Sequence, residues 1–191
     1  MNRRWILLAM LAALAGLPNT LAAQQAQLGP PDVPYEPSTP EQTLAMLRLA
    51  GVTRRDVVYD LGCGDGRIVI AAAKQFGARG VGIDIDPQRI QESVTNARKE
   101  GVARLVQFRN EDLFQSDIHE ATVVTLFLWP WVNLQLRPKL LRDLKPGARV
   151  VSHYHDMGDW KPEKEVIVPD SDEDSYLSHR VYLWIVPSPG K

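Results

Sequence analysis

A glycine-rich stretch that carries acidic residues follows an apolar run in the segment VVYDLGCGDGRIVIAAA, residues 57–73. The turn contains three glycines, Gly62, Gly64 and Gly66. Asp60 stands before the turn and Asp65 lies within it. In an open α/β sheet, a turn of this kind at the carboxyl end of the first strand is a place where ligands bind. The segment therefore predicts a binding turn that combines close backbone approach with negative charge.

The two carboxylates restrict the charge of the ligand. The spacing G-x-G-x-G differs from the G-x-G-x-x-G of dinucleotide sites, and a pyrophosphate would be repelled by about 1 kcal/mol for each close carboxylate even in bulk water. A cation would be attracted. S-adenosylmethionine carries an ammonium and a sulfonium and no phosphate, so Asp60 can pair with its amine while the backbone of Gly62, Gly64 and Gly66 approaches its carboxylate. We therefore expect S-adenosylmethionine as the cofactor.

Two further acidic residues follow the next predicted strands. Asp84 ends the second strand, where an acidic residue can accept hydrogen bonds from both hydroxyls of a ribose. Asp112 follows the third strand, in the segment FRNEDLF, and can meet the amino group of adenine. Acidic residues at three successive strand ends predict one cofactor site that includes Asp60, Asp84 and Asp112.

Predicted helices and strands, which position these residues, alternate along the chain from Ser38 onward. Thr39, Pro40 and Gln42 predict the start of a first helix with a capping box. The elements predicted after it are a strand at 57–61, a helix at 67–76, a strand at 80–85, a helix at 87–99 that Asp86 caps, strands at 105–108 and 122–129, a helix at 130–144 and a strand at 148–155. This alternation indicates a parallel sheet with helices on both faces. Segments 165–170 and 179–187 flank a loop too short for a crossover helix, so we expect them to pair antiparallel.

The pattern of residues at the N-terminus indicates a targeting segment. Arg3 and Arg4 precede the apolar run 5–17, and small residues stand at Ala22 and Ala23. This order is typical of a secretory signal peptide, so residues 1–23 predict export to the periplasm or the outside; the alternative is an uncleaved membrane anchor at 5–23. Residues 24–37 then read as a proline-rich leader, and residues 38–191 as the folded domain.

Charge and cysteine content exclude other classes. The 191 residues contain 22 Lys and Arg against 23 Asp and Glu, and removal of Arg3 and Arg4 with the signal peptide leaves 20 against 23. Because nucleic-acid binding draws most of its affinity from neutralised phosphates, we expect no stable nucleic-acid partner. Cys63 is the only cysteine. It cannot form an internal disulfide, and it is expected to be a small turn residue rather than a nucleophile.

An acidic residue before G-x-G-x-G, another at the end of strand two and a third after strand three resemble the pattern of class I S-adenosylmethionine-dependent methyltransferases. The resemblance covers about residues 39–187. It implies a Rossmann-like, seven-stranded α/β sheet that is mostly parallel, with the last strand antiparallel and helices on both faces. An exported domain that binds the cofactor without turnover, a small-molecule methyltransferase and a dinucleotide-dependent oxidoreductase are the alternatives.

A narrower resemblance concerns the methyl acceptor. The segments PYEPSTPEQTLAML, LRPKLLRDLKPGARVVSH and MGDWKP are similar to those of small prokaryotic relatives of archaeal and mitochondrial protein-lysine methyltransferases. The resemblance implies N-methylation of a lysine in a protein substrate, within an aromatic-walled channel that desolvates the amine. The sequence lacks the N/D-P-P-Y/F motif after strand four, which disfavours nucleic-acid bases and glutamine as acceptors.

The residues on the acceptor side have two interpretations each. Trp129 and Trp131 can wall the channel or pack in an ordinary way, and Asn133 can orient the acceptor or cap the helix that follows. His153 and His155 are expected on one side of strand five, as an acceptor-side base or orienter or as a polar strand end. A metal site would need a third ligand, and none is evident, so we expect no metal.

Overall fold

The computed structural model describes residues 35–168 and 179–188. Its helices and strands, in chain order, are α1 (Pro40–Leu49), β1 (Val57–Leu61), α2 (Arg67–Phe76), β2 (Arg79–Asp84), α3 (Pro87–Lys99), β3 (Val106–Asn110), β4 (Val123–Leu126), α4 (Pro130–Asp143), β5 (Arg149–His153), β6 (Lys164–Val168) and β7 (His179–Ile185). The predicted signal peptide, 1–23, and most of the proline-rich leader lie outside the described residues, so they stay predictions. Within the described part of the chain, every helix is too short or too polar to cross a membrane.

The strands form one seven-stranded sheet in the order β3-β2-β1-β4-β5-β7-β6. Strand β1 pairs in parallel with β2 on one side and with β4 on the other. The chain therefore changes direction across the sheet at β1 and β4, and the crevice outside their carboxyl ends is the expected ligand site. Strand β7 pairs antiparallel with both β5 and β6, which confirms the predicted fold class.

Helices cover both faces of the sheet. Strands β1 and β4 are buried along their whole length, as the central strands of a doubly covered parallel sheet must be. On one face, Leu136 and Leu140 of α4 pack into the larger apolar cluster. On the other face, Met46 of α1 and Val69 of α2 pack into a second cluster. This sandwich holds the carboxyl ends of β1 and β4 in fixed positions.

The local signals at the helix starts are confirmed. The hydroxyl of Thr39 accepts a hydrogen bond from the N–H of Gln42, and the side chain of Gln42 accepts one from the N–H of Thr39. Asp86 caps α3 by accepting from the N–H of Gln88. Most other elements lie within about two residues of their predicted bounds.

Two central strands, β4 and β5, end earlier than the sequence pattern predicts. Strand β4 ends at Leu126 rather than at residue 129, and β5 ends at His153 rather than at residue 155. Tyr154 has a φ of 72°, and the N–H of His155 donates to the carbonyl of His153 at 2.9 Å, which closes a γ-turn. The strand alternation stops at this turn, so the prediction that His153 and His155 lie on one side of a strand is wrong.

Candidate active site

A cavity of about 460 Å³ lies at the carboxyl ends of the central strands. This volume is in the usual range for small-molecule sites, about 300–1,000 Å³. The cavity is lined by Tyr35, Glu36, Gly62, Asp84, Ile85, Asp86, Arg89, Asp112, Leu113, Phe114, Phe127, Leu128 and Val132. A smaller pocket shares Tyr35, Glu36, Gly62 and Phe127 with it and adds Asp60. The two spaces are therefore neighbours around the end of β1.

Asp60 is a buried carboxyl group near the end of β1, with 2% of the residue exposed. The hydroxyl of Thr125 on β4 donates to it at 2.7 Å. Burial raises the pKa of Asp60 to about 7, and the carboxylates of Asp84 and Asp65 act in the same direction against the hydrogen bond from Thr125. A carboxyl group held this way favours a cationic partner, because a nearby positive charge would restore its ionised form.

The three glycines of the turn have different surroundings. Gly62, with φ 81°, lines the cavity. The N–H of Gly64 donates to Asp84 at 2.8 Å, and a Cβ there would lie 2.2 Å from the ring of Tyr35. A Cβ on Gly66 would meet the ring of Phe108 at 2.6 Å. The turn thus brings one predicted glycine, Gly62, to the cavity, and the other two allow close packing around it.

Asp84 and Asp112 both line the cavity, as their positions at the strand ends predict. One oxygen of Asp84 accepts from the N–H of Gly64 and the other from the N–H of Asp86, at 2.8 and 2.9 Å. Burial raises the pKa of Asp84. Asp112 accepts from the N–H of Phe114 at 2.8 Å and from a side-chain amide at 2.9 Å. Asp112 is therefore fixed in orientation by the turn that follows its own strand, and Asp84 by the turn after β2 together with the glycine turn after β1.

Asp65 does not present the free negative charge that the sequence predicted for the turn. The guanidinium of Arg67 forms an ion pair with it at 2.7 Å, and the same side chain donates to the carbonyl of Ser38 at 2.6 Å. The charge of Asp65 is thus compensated within the protein. The preference of the site for a cation rests on Asp60 and Asp84.

Tyr35 and Arg89 line the cavity although sequence patterns gave little sign of them. The ring of Tyr35 covers Gly64, and the guanidinium of Arg89 lies 4.4 Å from the centre of that ring. Arg89 also forms an ion pair with Glu92 at 2.5 Å. In the sequence, Tyr35 stands shortly before the first helix, from where it can pack over a site, and no motif marks Arg89.

Phe127 is a further lining residue that the sequence analysis did not single out. It lines both spaces, and its ring centre lies 4.2 Å from that of His153. In the sequence it is one of several apolar residues in the run 122–129, so nothing marks it. Phe127, Leu128 and Val132 together supply an apolar part of the lining.

Asn133 is fully buried in the first part of α4. Its amide donates to the hydroxyl of Ser152 at 3.0 Å and to the carbonyl of His155 at 3.2 Å. Its Oδ1 atom has no hydrogen-bond partner among the described residues. The N-cap residue of α4 is Trp129, so the interpretation of Asn133 as a helix cap is wrong.

His153 is fully buried at the end of β5. Its Nε2 atom lies 3.0 Å from Nδ1 of His179, while its Nδ1 atom has no partner in the part of the chain that the structure describes. Burial lowers the pKa of His153 to about 4, and the neighbouring His179 and His155 add to this effect. His153 is therefore neutral at pH 7. Within 35–168 and 179–188, no three His, Cys, Asp or Glu residues are grouped to hold a metal ion.

Trp129 and Trp131 lie on the surface, 49% and 41% exposed. Among the described residues, the lining of the cavity comes from their neighbours Leu128 and Val132 and not from the tryptophans. The structure thus gives no support for either tryptophan as a wall of the cavity. Cys63 is buried, and burial with the nearby carboxylates of Asp60 and Asp84 raises the pKa of its thiol, which leaves it unreactive as a nucleophile.

Comparison with known proteins places the chain in a family. Residues 60–164 match the model of the ANTKMT methyltransferase domain. The chain is 45% identical over 157 residues to a protein-lysine N-methyltransferase of Saccharolobus islandicus (strain REY15A), which covers 82% of this chain and 95% of that protein. It is 34% identical over 131 residues to the adenine nucleotide translocase lysine N-methyltransferase of Mus musculus, covering 68% and 56%. The chain spans little more than half the length of this mouse relative.

Solved structures agree with the fold and the cofactor. The RNA methyltransferase of Salinibacter ruber, in complex with S-adenosyl-L-homocysteine, superimposes with a TM-score of 0.74 at 50% identity, covering 82% of this chain and 98% of that one. TrmN from Thermus thermophilus has a TM-score of 0.65 at 18% identity, covering 76% and 48%, and supports the fold alone.

The described residues fit a cofactor of this kind. The buried carboxyl of Asp60 beside a cavity with further carboxylates suits a ligand that carries positive charge and no phosphate. Family, fold and site therefore agree: the chain belongs to the ANTKMT methyltransferase domain family and is a class I S-adenosylmethionine-dependent methyltransferase.

Proposed function

We propose that this protein transfers the methyl group of S-adenosylmethionine to the ε-amine of a lysine in a protein substrate. The observation that carries the proposal is the apolar part of the cavity lining at Phe127, Leu128 and Val132, close to the acidic strand ends. A lysine amine must lose its proton before it can accept a methyl group, and an apolar surrounding lowers the pKa of an amine. The similarity to an archaeal protein-lysine N-methyltransferase supports the same acceptor.

We assign the cofactor to the acidic strand ends. Asp60 pairs with its ammonium, and the backbone at Gly62 lies beside its carboxylate, while Gly64 and Gly66 shape the turn. Each oxygen of Asp84 already accepts one backbone N–H and keeps a second lone pair, so the two oxygens can accept the two ribose hydroxyls. Asp112 accepts from the adenine amino group. The cofactor supplies an electrophilic methyl group, and the protein supplies orientation.

On the acceptor side, we propose that Asn133 and His153 act as positioning residues. His153 packs against Phe127, and Asn133 holds the carbonyl of His155. With a pKa of about 4, His153 is a poor proton acceptor at neutral pH. Methyl transfer needs alignment more than a dedicated base. His153 fixes the ring of Phe127, which lines the cavity, and Asn133 fixes the turn that follows β5.

The test supplies the full-length protein with methyl-labelled S-adenosylmethionine and a soluble cell extract. Half of the extract is first treated so that its lysine amines are acetylated. We expect label in protein, ε-N-methyllysine on acid hydrolysis, release of S-adenosylhomocysteine and loss of the label after acetylation. Label that survives acetylation would contradict a lysine acceptor. Binding of the cofactor without release of S-adenosylhomocysteine would favour a binding domain without turnover.

RNA methylation is the second candidate. The observation that favours it is the 50% identity to the Salinibacter ruber RNA methyltransferase. The balance of 22 basic against 23 acidic residues gives the chain no excess of positive charge, and RNA binding depends on such charge. The same assay with total RNA as acceptor separates the two: label in RNA that is resistant to protease and sensitive to ribonuclease would establish this alternative.

We also propose that residues 1–23 export the protein, on the order of charged, apolar and small residues in that segment. The membrane would then be contacted only if the apolar run 5–23 stays uncleaved. Fusion of residues 1–30 to a reporter that is active only outside the cytoplasm tests this. A reporter that stays inactive would remove the export proposal without affecting the assigned chemistry.

A further inference from the structure

Helix α4 has a second apolar face, which is turned to solvent. Its inner face packs Val132, Leu136 and Leu140 into the core. On the outside are four exposed apolar residues, which we call the α4 stripe: Trp131, Leu134, Pro138 and Leu141. At 100° per residue their side chains project within about 80° of one another, and at 1.5 Å per residue they extend over about 15 Å. Single exposed apolar residues are common on proteins, but a continuous patch marks an interaction surface.

The stripe begins beside the cavity. Trp131 stands next to Val132, which lines the cavity, and Trp129, 49% exposed, precedes the same helical turn. Along the stripe, Leu134 and Leu141 are 46% and 40% exposed. The stripe therefore begins within one helical residue of Val132, at the end of α4 that borders the cavity, where the acceptor enters under the proposed function.

The cations of α4 do not point to a phosphate-bearing partner. Arg137 forms an ion pair with Asp159, and Lys139 and Arg142 both form ion pairs with Asp143, at 2.8 and 2.7 Å. All three basic residues of the helix thus have carboxylate partners, and the stripe itself is uncharged. An RNA or an anionic lipid surface would need unpaired cations here. An apolar centre with a polar rim is the pattern of a protein-binding patch.

We propose that the α4 stripe binds an apolar segment of the protein substrate that lies next to the target lysine in sequence. This inference rests on the proposed lysine methylation and adds the chemistry of the substrate that the enzyme selects. The flanking apolar residues dock along α4 while the lysine side chain reaches the cavity beside Val132. The stripe then contributes to substrate affinity and leaves the cofactor site and the methyl-transfer step unchanged.

The test compares two short peptides with one central lysine, in which the residues on both sides of the lysine are either leucine and valine or serine and glutamine. The full-length protein is compared with the double variant Leu134→Gln/Leu141→Gln. A matched control is Leu105→Gln, because Leu105 is an exposed leucine of similar exposure, 39%, that precedes β3. All three proteins are first checked for equal melting temperature and equal affinity for S-adenosylmethionine.

We expect the double variant to raise KM for the apolar peptide at least tenfold, with kcat unchanged, and to leave KM for the polar peptide unchanged. The control should behave as the wild type. An equal rise for both peptides, or no rise for either, would overturn the proposal. So would a wild-type dimer in sedimentation that the double variant abolishes, because the stripe would then bind a second copy. If the wild type methylates RNA and neither peptide, the lysine function itself is wrong.

Discussion

The carboxylates at the cofactor end of the cavity and the two residues proposed to position the acceptor differ in how their polar atoms are paired. At the cofactor end, Asp84 and Asp112 accept hydrogen bonds from backbone N–H groups of nearby turns, and the positive φ angles of the turn are carried by glycines. At the acceptor end, Asn133 and His153 each keep one buried polar atom without a hydrogen-bond partner among the described residues. The cofactor end has one such atom in its described lining, Nε of Arg89, and a carboxylate oxygen of Asp86 lies 3.9 Å from it. At the acceptor end the residue with positive φ is a tyrosine.

This difference indicates two kinds of constraint. The cofactor is one small molecule with fixed groups, so its binding residues can be held by the local backbone before it arrives. Buried polar atoms without partners cost about 1–3 kcal/mol each, and strained backbone collects at functional sites. The arrangement at the acceptor end therefore lowers the stability of the folded protein. The predictions that follow test whether the two ends respond to substitution in opposite ways.

The largest effect is expected at Asp84. Asp84→Ala removes the acceptor of two backbone N–H bonds and of the proposed ribose hydroxyls, and hydrogen bonds to a charged group contribute about 1.5–3 kcal/mol each. We expect the affinity for S-adenosylmethionine to fall at least about 100-fold, measured by calorimetry. Asp117→Ala, at an exposed aspartate outside the set of lining residues, serves as the control. Unchanged affinity would remove Asp84 from the cofactor site.

Asp60 predicts a dependence on pH. Its pKa is about 7 in the folded protein, against about 3.9 in the unfolded chain. Between about pH 4 and pH 7 the folded protein therefore keeps a proton on Asp60 that the unfolded chain has lost. The stability contributed by this group is complete below pH 4 and is lost as the pH rises to about 7, by about 4 kcal/mol at 1.36 kcal/mol per unit. In the absence of cofactor, Asp60→Asn should therefore be more stable than the wild type at pH 8, measured by urea unfolding.

The affinity for S-adenosylmethionine should change in the opposite direction. The ammonium needs the ionised carboxylate, so wild-type affinity should rise up to about tenfold per pH unit below pH 7. The rise should end near pH 8, where the α-amino group of the cofactor, with an ordinary pKa of about 7.7–8.0, begins to lose its own proton. Asp60→Asn should bind more weakly at pH 8 and lose this pH dependence. Calorimetry at pH 6 and pH 8 measures both. A wild-type affinity that is equal at the two values would contradict the pairing of Asp60 with the ammonium.

At the acceptor end, His153→Phe should lower kcat while leaving the free energy of unfolding nearly unchanged. The phenyl ring keeps the contact with Phe127. It removes the unpartnered Nδ1, which is favourable, and the Nε2 contact with His179, which is unfavourable by a similar amount, about 1 kcal/mol. We expect a change in unfolding free energy of less than about 1 kcal/mol, unchanged cofactor affinity and a fall in kcat of about tenfold. An unchanged kcat would remove His153 from the positioning role.

The same difference explains what the sequence allowed us to predict. The fold class, the strands at 57–61 and 80–85, and the acidic residues at 60, 84 and 112 follow from local patterns, because each acidic residue stands within two residues of the end of its own strand. The helix caps at Thr39 and Asp86 could also be predicted, because their hydrogen bonds join residues two or three positions apart. The family resemblance and the expectation of S-adenosylmethionine rested on these segments and are confirmed.

The acceptor end depends on contacts between distant segments. Asn133 reaches Ser152 and His155, and His153 meets His179, so no local pattern shows which groups will be paired. Phe127 lines the cavity from the segment that follows β4, which ends at Leu126. The tryptophans at 129 and 131, which the sequence offered as walls of a channel, are exposed and are not among the lining residues.

The smallest expected effect tests the backbone strain at Tyr154. An L-residue in the left-handed region costs roughly 1–2 kcal/mol that glycine avoids. Tyr154→Gly and Tyr154→Ala both lose the ring contacts with His155 and His179, so their difference isolates the backbone. We expect the glycine variant to be more stable by about 1 kcal/mol in urea unfolding. The same pair at Ile167, an exposed strand residue, should show the reverse order, because glycine weakens a strand by about 0.5–1 kcal/mol relative to alanine. If the alanine variant is the more stable at both positions, the backbone at Tyr154 carries no strain. The acceptor end would then differ from the cofactor end only in the unpaired atoms of Asn133 and His153.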